Sequence, residues 1–263
     1  SEFAQVYKEA KTIAPEAFGQ SSLNNLIDGQ WVSIGQAQSH FTAVDGQQII
    51  GPTMLNLEQV QYAVDQAVKQ DVDWSKTPLE ERKARVAKAI ELLREHRDAI
   101  ARLIIWEIGK PWKLACADVD RAIEGVEWYL GEIDRQMHGR TPLPGPISNI
   151  ASWNYPLSVL VHAELVQLLA GNAVIAKTPT QGGFHALTLS HALMARAGLP
   201  VTLLSGSGAE LAPALVSSDS LGALAFVGGR NNGRAAASSL TSLARRHILE
   251  QEGLNSWGVW NYS

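Results

Sequence analysis

The sequence predicts an α/β fold: a doubly wound, mostly parallel sheet of about five strands, preceded by a helical segment with small hairpins. Three observations predict it. From residue 147 onward, short apolar runs at 147–151, 173–176, 201–204, 222–227 and 247–249 alternate with helical stretches near 155–170, 184–197, 208–217 and 231–243. Strands joined by helical crossovers build parallel sheets. Before that point the periodicity is helical. Between the two regimes, residues 140–146 hold Pro142, Pro144, Gly145 and Pro146, a composition that marks a boundary. The division read from this is an arm at 1–20, a helical part with hairpins at 21–140 and the wound core at 141–263.

Composition narrows the function classes. A chain of 263 residues with 46% hydrophobic and 18% charged residues can bury a sizeable core. Its formal net charge of −4, with no dense Lys/Arg run, gives no field for a polyanion, so nucleic acid is not expected as a partner. No apolar run reaches spanning length and no basic-then-apolar leader opens the chain, so no membrane is expected and the location read is cytoplasmic. The single cysteine, Cys116, excludes an internal disulfide and a cysteine-based metal cluster, and no metal site is expected.

In chain order, residues 1–20 show no clear periodicity and read as an arm. Asp28-Gly29 and Asp45-Gly46 are turn signals between short apolar pieces, predicting two small surface hairpins. Asn56 followed by Gln59 resembles a capping box, with Val60, Ala63, Val64 and Ala67 on one face. Thr77-Pro78-Leu79-Glu80 reads as cap, first-turn proline and acidic first turn, with Leu79, Val86, Ile90 and Leu93 as the buried stripe. A third helix ends at Gly109-Lys110-Pro111. A fourth, from about Trp112 to Arg135, carries Ala115, Val119, Ala122, Val126, Tyr129 and Ile133 at helical spacing. Cys116 lies on it. A nucleophile and a small core residue are both open to it, and without a neighbouring histidine the core reading is preferred.

In the wound core, polar or glycine residues stand at four strand ends: Asn154, Lys177, Gly208 and Gly228. Ligands of open α/β sheets bind at that edge. No G-x-G-x-x-G follows the first strand. Gly228-Gly229-Arg230-Asn231-Asn232-Gly233 follows the fourth and opens a helix, where glycine allows close backbone approach and a helix N-terminus favours anions. A tight strand-to-helix turn alone would also call for glycine.

These segments together resemble the aldehyde dehydrogenase superfamily, in its N-terminal portion. Ser152-Trp153-Asn154-Tyr155-Pro156-Leu157 is similar to its Pro-Trp-Asn-Phe/Tyr-Pro-Leu motif, and Gly171-Asn172-Ala173-Val174-Ile175-Ala176-Lys177-Thr178-Pro179 to its Gly-Asn-x-Val-x-x-Lys-Pro segment. Phe226-Val227-Gly228-Gly229 through Gly233-Arg234 resembles Phe-Thr-Gly-Ser-x-x-x-Gly-Arg. Leu249-Glu250-Gln251-Glu252-Gly253 stands where the family has Leu-Glu-Leu-Gly-Gly, and Glu107-Ile108-Gly109-Lys110-Pro111 resembles its Glu-x-Gly-Lys-Pro helix end.

The resemblance implies a Rossmann-like core at 141–263, with 21–140 the helical part of one cofactor-binding domain, and NAD or NADP as cofactor. Asn154 would donate its amide to an oxyanion and Glu250 would be the general base. Ala151, Ser152, Trp153, Lys177, Thr180, Gly208, Phe226, Val227, Gly228, Gly229 and Asn232 would line the dinucleotide, with Lys177 on the adenosine ribose. Read singly, Asn154 is also a helix cap, Lys177 a solvated cation, and Glu250 a partner for Arg245 or Arg246. Ser152, Val227 and Gly229 depart from the family residues. Thr180 stands where NAD-preferring members often have a glutamate, so NADP is expected to be tolerated at least as well as NAD. Between Gly139 and Ile147 the chain is shorter than the family norm, where an oligomerisation strand passes, which leaves a homo-oligomer open.

The family's nucleophilic cysteine lies beyond the Glu250 position and the sequence ends at Ser263, after the aromatics Trp257, Trp260 and Tyr262. The chain therefore reads as truncated before that cysteine, with no catalytic domain and inactive alone. The parent enzyme would oxidise a small-molecule aldehyde to a carboxylic acid. The alternatives are a non-catalytic nucleotide-binding or assembly domain, and a reductase of acyl-CoA or acyl-phosphate.

Overall fold

The structure, a computed structural model, describes residues 2–241, 245–252 and 258–259. The chain opens on a helix where the sequence suggested an arm. In α1 (Glu2–Ile13), Phe3, Val6 and Ala10 are buried at i, i+3 and i+7, a stripe too short to announce itself. β1 (Asn25–Ile27) and β2 (Gln30–Val32) form the first hairpin, with Asp28 at φ 53° and Gly29 at φ 70° in its turn, the left-handed pair that suits a two-residue hairpin. It is not the surface hairpin expected. β1 is buried throughout and runs antiparallel beside the strand at 201–204, Leu26 facing Leu203. β3 (Gln36–Phe41) and β4 (Gln48–Met54) form the second hairpin as a separate two-stranded sheet.

Four helices follow. α2 (Leu57–Lys76) has the capping box in full, each of Asn56 and Gln59 bonding the other's backbone N–H at 2.9 Å. α3 (Leu79–Glu95) does not use Thr77 as its cap: that hydroxyl donates back to the Asp73 carbonyl at 3.1 Å, because α2 ends immediately before it. α4 (Arg97–Ile108) stops at Gly109, which adopts φ 74°. α5 (Trp112–Met137) buries Ala115, Val119, Ala122, Val126 and Ile133 as the spacing predicts, with Tyr129 half-buried.

The remaining elements are β5 (Ile147–Ile150), α6 (His162–Leu169), β6 (Val174–Lys177), α7 (Phe184–Arg196), β7 (Val201–Leu204), α8 (Gly208–Leu215), β8 (Ala223–Gly228), α9 (Arg230–Thr241) and β9 (His247–Gln251). A π-helical turn, Pro156–Val161, leads into α6. The five strands β5 to β9 are parallel, and with the first hairpin they make a seven-stranded sheet in the order β2-β1-β7-β6-β5-β8-β9. The chain winds outward from β5 through β6 to β7, then returns to the other side of β5 for β8 and β9. The point of reversal lies between β5 and β8.

Helices cover both faces, and the alternation of side chains along the strands says which helix each residue meets. Val174 and Ala176 face the cluster built by α3 to α7, whereas Ile175 and Leu204 face α2 and α8 through Val60, Val64 and Leu211. A third cluster, Leu224, Phe226, Ala236 and Leu240, seats α9. Ile175 and Leu204 are fully buried, and truncating either to alanine would cost about 2–5 kcal/mol. This packing holds the carboxyl ends of four strands in fixed relation.

Candidate cofactor site

Those strand ends enclose a cleft of about 620 Å³ at the point of reversal. Ala151, Ser152 and Trp153 line it just after β5. Lys177 is the last residue of β6, and Thr180 follows it. Gly208 is the first residue of α8. Phe226, Val227, Gly228 and Gly229 come from the end of β8 and its turn, and Asn232 from the first turn of α9. The eleven positions expected to touch a dinucleotide thus share one wall-to-wall space. The sequence reading missed Gln181, which follows Thr180, and the small residues Ala209 and Ala212 on α8 and Ala235 and Ala236 on α9. Their helical spacing was legible, but not which face they turn to the cleft.

Lys177 dominates the electrostatics. It is 5% exposed, so the solvated reading does not hold. Its Nζ donates to the Thr178 carbonyl at 2.8 Å, and burial pulls its pKa from 10.5 down to about 8. Burial is the only cause acting on it, and no carboxylate lies within 4 Å among the described residues. Among the described residues, Lys177 is also the one ionisable side chain lining the cleft. The ledge that holds it is pinned by polar contacts inside the core: Thr178 and Ser205 share a hydroxyl hydrogen bond at 2.6 Å, and the Ser205 N–H donates to Asn25 at 2.8 Å.

Two glycines give the cleft its shape. A Cβ at Gly208 would touch only Lys177 Cε, at 3.8 Å, so the space a side chain would fill there is the cleft itself. A Cβ at Gly228 would come within 2.9 Å of the Phe226 ring, so this turn admits Phe226 only because residue 228 has none. The N-termini of α8 and α9 both open at this edge. Ser207, at the α8 cap position, makes no side-chain cap bond, leaving first-turn amides available to an anionic or polar ligand. At α9 the Arg230 N–H already donates to Glu252 at 3.3 Å. A cation without a counter-ion, the uncapped end of α8 and apolar walls fit a ligand that joins phosphates to planar rings.

Asn154 lies beside the cleft and does not line it. Its Oδ1 accepts the Ser152 hydroxyl at 2.6 Å, and it is not the cap of the turn that follows. That role belongs to Asp118 of α5, which accepts the N–H groups of Leu157 and Ser158 at 3.4 and 3.0 Å and the Ser158 hydroxyl at 2.5 Å. No local signal in the sequence marked Asp118. Lys110 Nζ sits 3.8 Å above the Tyr155 ring and 3.9 Å from Asp118, and burial lowers its pKa despite the Asp118 charge.

Glu107, the acid of the Glu-Ile-Gly-Lys-Pro segment, is buried and accepts the N–H groups of Phe184 and His185 at 2.7 and 3.0 Å. It caps α7, the helix entered from the Lys177 loop. Glu250 stands on β9 opposite Val227, exposed and outside the cleft lining. Among the described residues it pairs with neither Arg245 nor Arg246, and the nearby ion pair is Arg230 with Glu252 at 3.6 Å. Gly253, Trp257, Trp260 and Tyr262 lie outside the described residues. Cys116 is 5% exposed, and burial raises its thiol pKa, as a core residue requires. Among the described residues no helix is long and apolar enough to cross a membrane.

Comparison with known proteins places this architecture. The model of the aldehyde dehydrogenase family matches residues 31–262. A non-phosphorylating aspartate-semialdehyde dehydrogenase of Halomonas elongata is 28% identical over 247 residues, covering 86% of this chain and 50% of the relative. An NADP-dependent glyceraldehyde-3-phosphate dehydrogenase of Pisum sativum is 34% identical over 197 residues, 65% of this chain and 39% of its own. Among solved structures, 1-pyrroline-5-carboxylate dehydrogenase of Thermus thermophilus shares the fold with a TM-score of 0.83 at 24% identity, over 96% of this chain and 53% of that one. An NADP-dependent glyceraldehyde-3-phosphate dehydrogenase of Bacillus halodurans, complexed with NADP, gives a TM-score of 0.80 at 26% identity, over 89% and 53%. The chain spans about half the length of these relatives. With the motifs, the sheet order and the family match in agreement, this chain belongs to the aldehyde dehydrogenase family.

Proposed function

We propose that the cleft between β5 and β8 binds NAD or NADP, and that this chain is the coenzyme-binding part of an enzyme oxidising an aldehyde to a carboxylic acid. The observation that carries the reading is the convergence of residues 151–153, 177, 180, 208, 226–229 and 232 on one space whose sole ionisable group among the described residues is a buried lysine. Lys177 would hold ribose hydroxyls, its pKa of about 8 keeping it a cation and donor at neutral pH. The open end of α8 would face the pyrophosphate. Bound NAD(P) supplies the acceptor for a hydride from the substrate carbon.

The chain's own groups divide the remaining work. Asn154 would donate its amide to the aldehyde oxygen as a thiolate adds to the carbonyl carbon, stabilising the charge that develops there. Glu250, exposed and without an ion-pair partner among the described residues, would take the proton from the water that releases the acid. Cys116, the single cysteine of these 263 residues, would not supply that thiolate, because it is buried in the core and burial raises its thiol pKa. A thiol in that state is a poor nucleophile.

Among the described residues no carboxylate lines the cleft, and Thr180 and Gln181 are exposed beside Lys177. This supports acceptance of a 2′-phosphate and hence of NADP, as does the NADP held by the Bacillus halodurans relative. Titration of the chain with each coenzyme, followed by the fluorescence of Trp153 and its companions, tests both points. Saturable binding with NADP at least as tight as NAD is expected. Binding of neither would overturn the site, and NAD much tighter than NADP would overturn the preference.

A further inference from the structure

A short polar side chain just ahead of a helix ordinarily caps it, and Asn154 stands one residue before Tyr155, the cap position of the turn at Pro156–Val161. Here the cap is supplied from elsewhere. Asp118, fully shielded from solvent, reaches over from α5 and takes the first two free amides of that turn together with the Ser158 hydroxyl. Lys110, between the Asp118 carboxylate and the face of Tyr155, ties the same strut to the residue next to Asn154. Asn154 is released from capping. Its oxygen is then occupied by the Ser152 hydroxyl at 2.6 Å, and its side chain makes no other hydrogen bond among the described residues. An amide whose oxygen is held against a hydroxyl turns its two N–H donors the other way, even though that oxygen keeps a second lone pair.

We propose that Asp118 and Ser152 are positioning residues that together hold the Asn154 amide oxygen against Ser152 and leave the nitrogen facing away, in the orientation a donor needs. The inference rests on the reading of Asn154 as oxyanion donor and deepens it. A freely rotating amide would present its oxygen to the developing charge in part of the population, and repulsion would replace stabilisation. Ser152 removes that state. Serine stands here where the resembling family motif has proline, so this chain would fix by a hydrogen bond what a ring fixes through the backbone.

The test is nuclear magnetic resonance on the 263-residue chain, with the Asn154 side-chain amide identified by its loss in Asn154→Asp. Wild type is expected to show three-bond couplings of a single Asn154 rotamer, with Oδ1 toward Ser152. Ser152→Ala should lose that pattern to averaged couplings, and Ser152→Thr, which keeps the hydroxyl, should restore it. Asp118→Asn should shift the Leu157 and Ser158 amide resonances and draw Asn154 toward them. An unchanged single rotamer in Ser152→Ala, or contacts placing Nδ2 rather than Oδ1 against Ser152, would overturn the proposal, and this readout stands even if Asp118→Asn does not fold. Turnover by the complete enzyme separates the two layers. If Asn154→Ala leaves it intact while the couplings respond as expected, the clamp stands and the oxyanion role falls. If Asn154→Ala abolishes it while Ser152→Ala keeps the rotamer, the reverse holds.

Discussion

Lys177→Met should make the protein more stable and unable to hold its coenzyme. The ammonium is buried, and its pKa falls from 10.5 to about 8 through loss of water alone. At about 1.4 kcal/mol per tenfold change, that gap sets a ceiling of roughly 3 kcal/mol on what the buried charge costs the fold at neutral pH. Methionine keeps most of the apolar stem and removes the charge, but it also removes the hydrogen bond to the Thr178 carbonyl. A charged hydrogen bond of this kind contributes about 1.5 kcal/mol. A net gain of about 1–2 kcal/mol remains, or roughly 3–6 °C in Tm for a chain of this size.

The sign can be read from pH. A lysine with a lowered folded-state value binds its proton more tightly in the unfolded chain. Below pH 8 both states are charged and the full cost is felt. Between pH 8 and 10.5 the folded protein sheds the proton first, and wild type gains stability as pH rises. Urea denaturation of both proteins at pH 7 and pH 9.5 should therefore show the variant ahead at pH 7 and the gap narrowing at pH 9.5. Fluorescence titration should show coenzyme affinity reduced at least tenfold. A variant less stable than wild type at pH 7, or one that still binds NADP normally, would refute the assignment of Lys177 as a ligand-facing cation held at the expense of stability.

Three further outcomes follow from buried groups elsewhere. His191 bonds the Leu187 carbonyl at 2.7 Å and Glu164 at 3.0 Å in full burial. Burial pulls its pKa down, but the Glu164 charge and both bonds outweigh this and hold it above 6.5. That contribution is complete below pH 6.5 and is lost as pH rises through the raised value. Glu164→Gln should cost about 3 kcal/mol at pH 6 and flatten that part of the pH–stability curve in urea titrations. Glu107→Ala strips the caps from two amides of α7 and should cost about 2–4 kcal/mol, measured by the same denaturation. Iodoacetamide should leave Cys116 unmodified in the native protein at pH 7.5 and label it fully in urea, while Cys116→Ala should keep coenzyme binding unchanged.

The parts of this structure that were legible in the sequence are those fixed by local rules. Apolar runs of four to six residues, each followed by a polar residue or a glycine, locate the ends of β5, β6, β7 and β8 without any knowledge of pairing. A site built from strand ends in a doubly wound sheet is legible with them. β1 was misjudged for the opposite reason. Asn25–Ile27 is a three-residue strand, and only its pairing with a strand about 175 residues later makes it interior. Asp118 and Glu107 were invisible as caps because their amides lie 40 and 77 residues away. A carboxylate on a helix rich in polar residues looks the same whether it meets water or a buried N–H.

That contrast also supports the proposal that the cleft, and not the core, carries the function. Asp118, Glu107 and the His191–Glu164 pair are buried charges, each matched by donors or by an opposite charge, and they can be accounted for by the fold they hold together. Lys177 is buried almost as deeply and, among the described residues, has a single carbonyl as partner. A charge so placed lowers stability, and a hydrophobic residue would serve the sheet better. Beside it are a glycine at 208 that nothing in the protein crowds and a glycine at 228 that only an aromatic ring crowds. Each of these choices weakens packing or burial at one edge of the sheet, and all of them open onto the same space. Local rules broken together at one place, while the surrounding helices obey them, are what a binding site demands of a fold, and the ligand that would repay all three at once is one with hydroxyls for the lysine, phosphates for the open end of α8 and a flat ring for the glycine-lined walls.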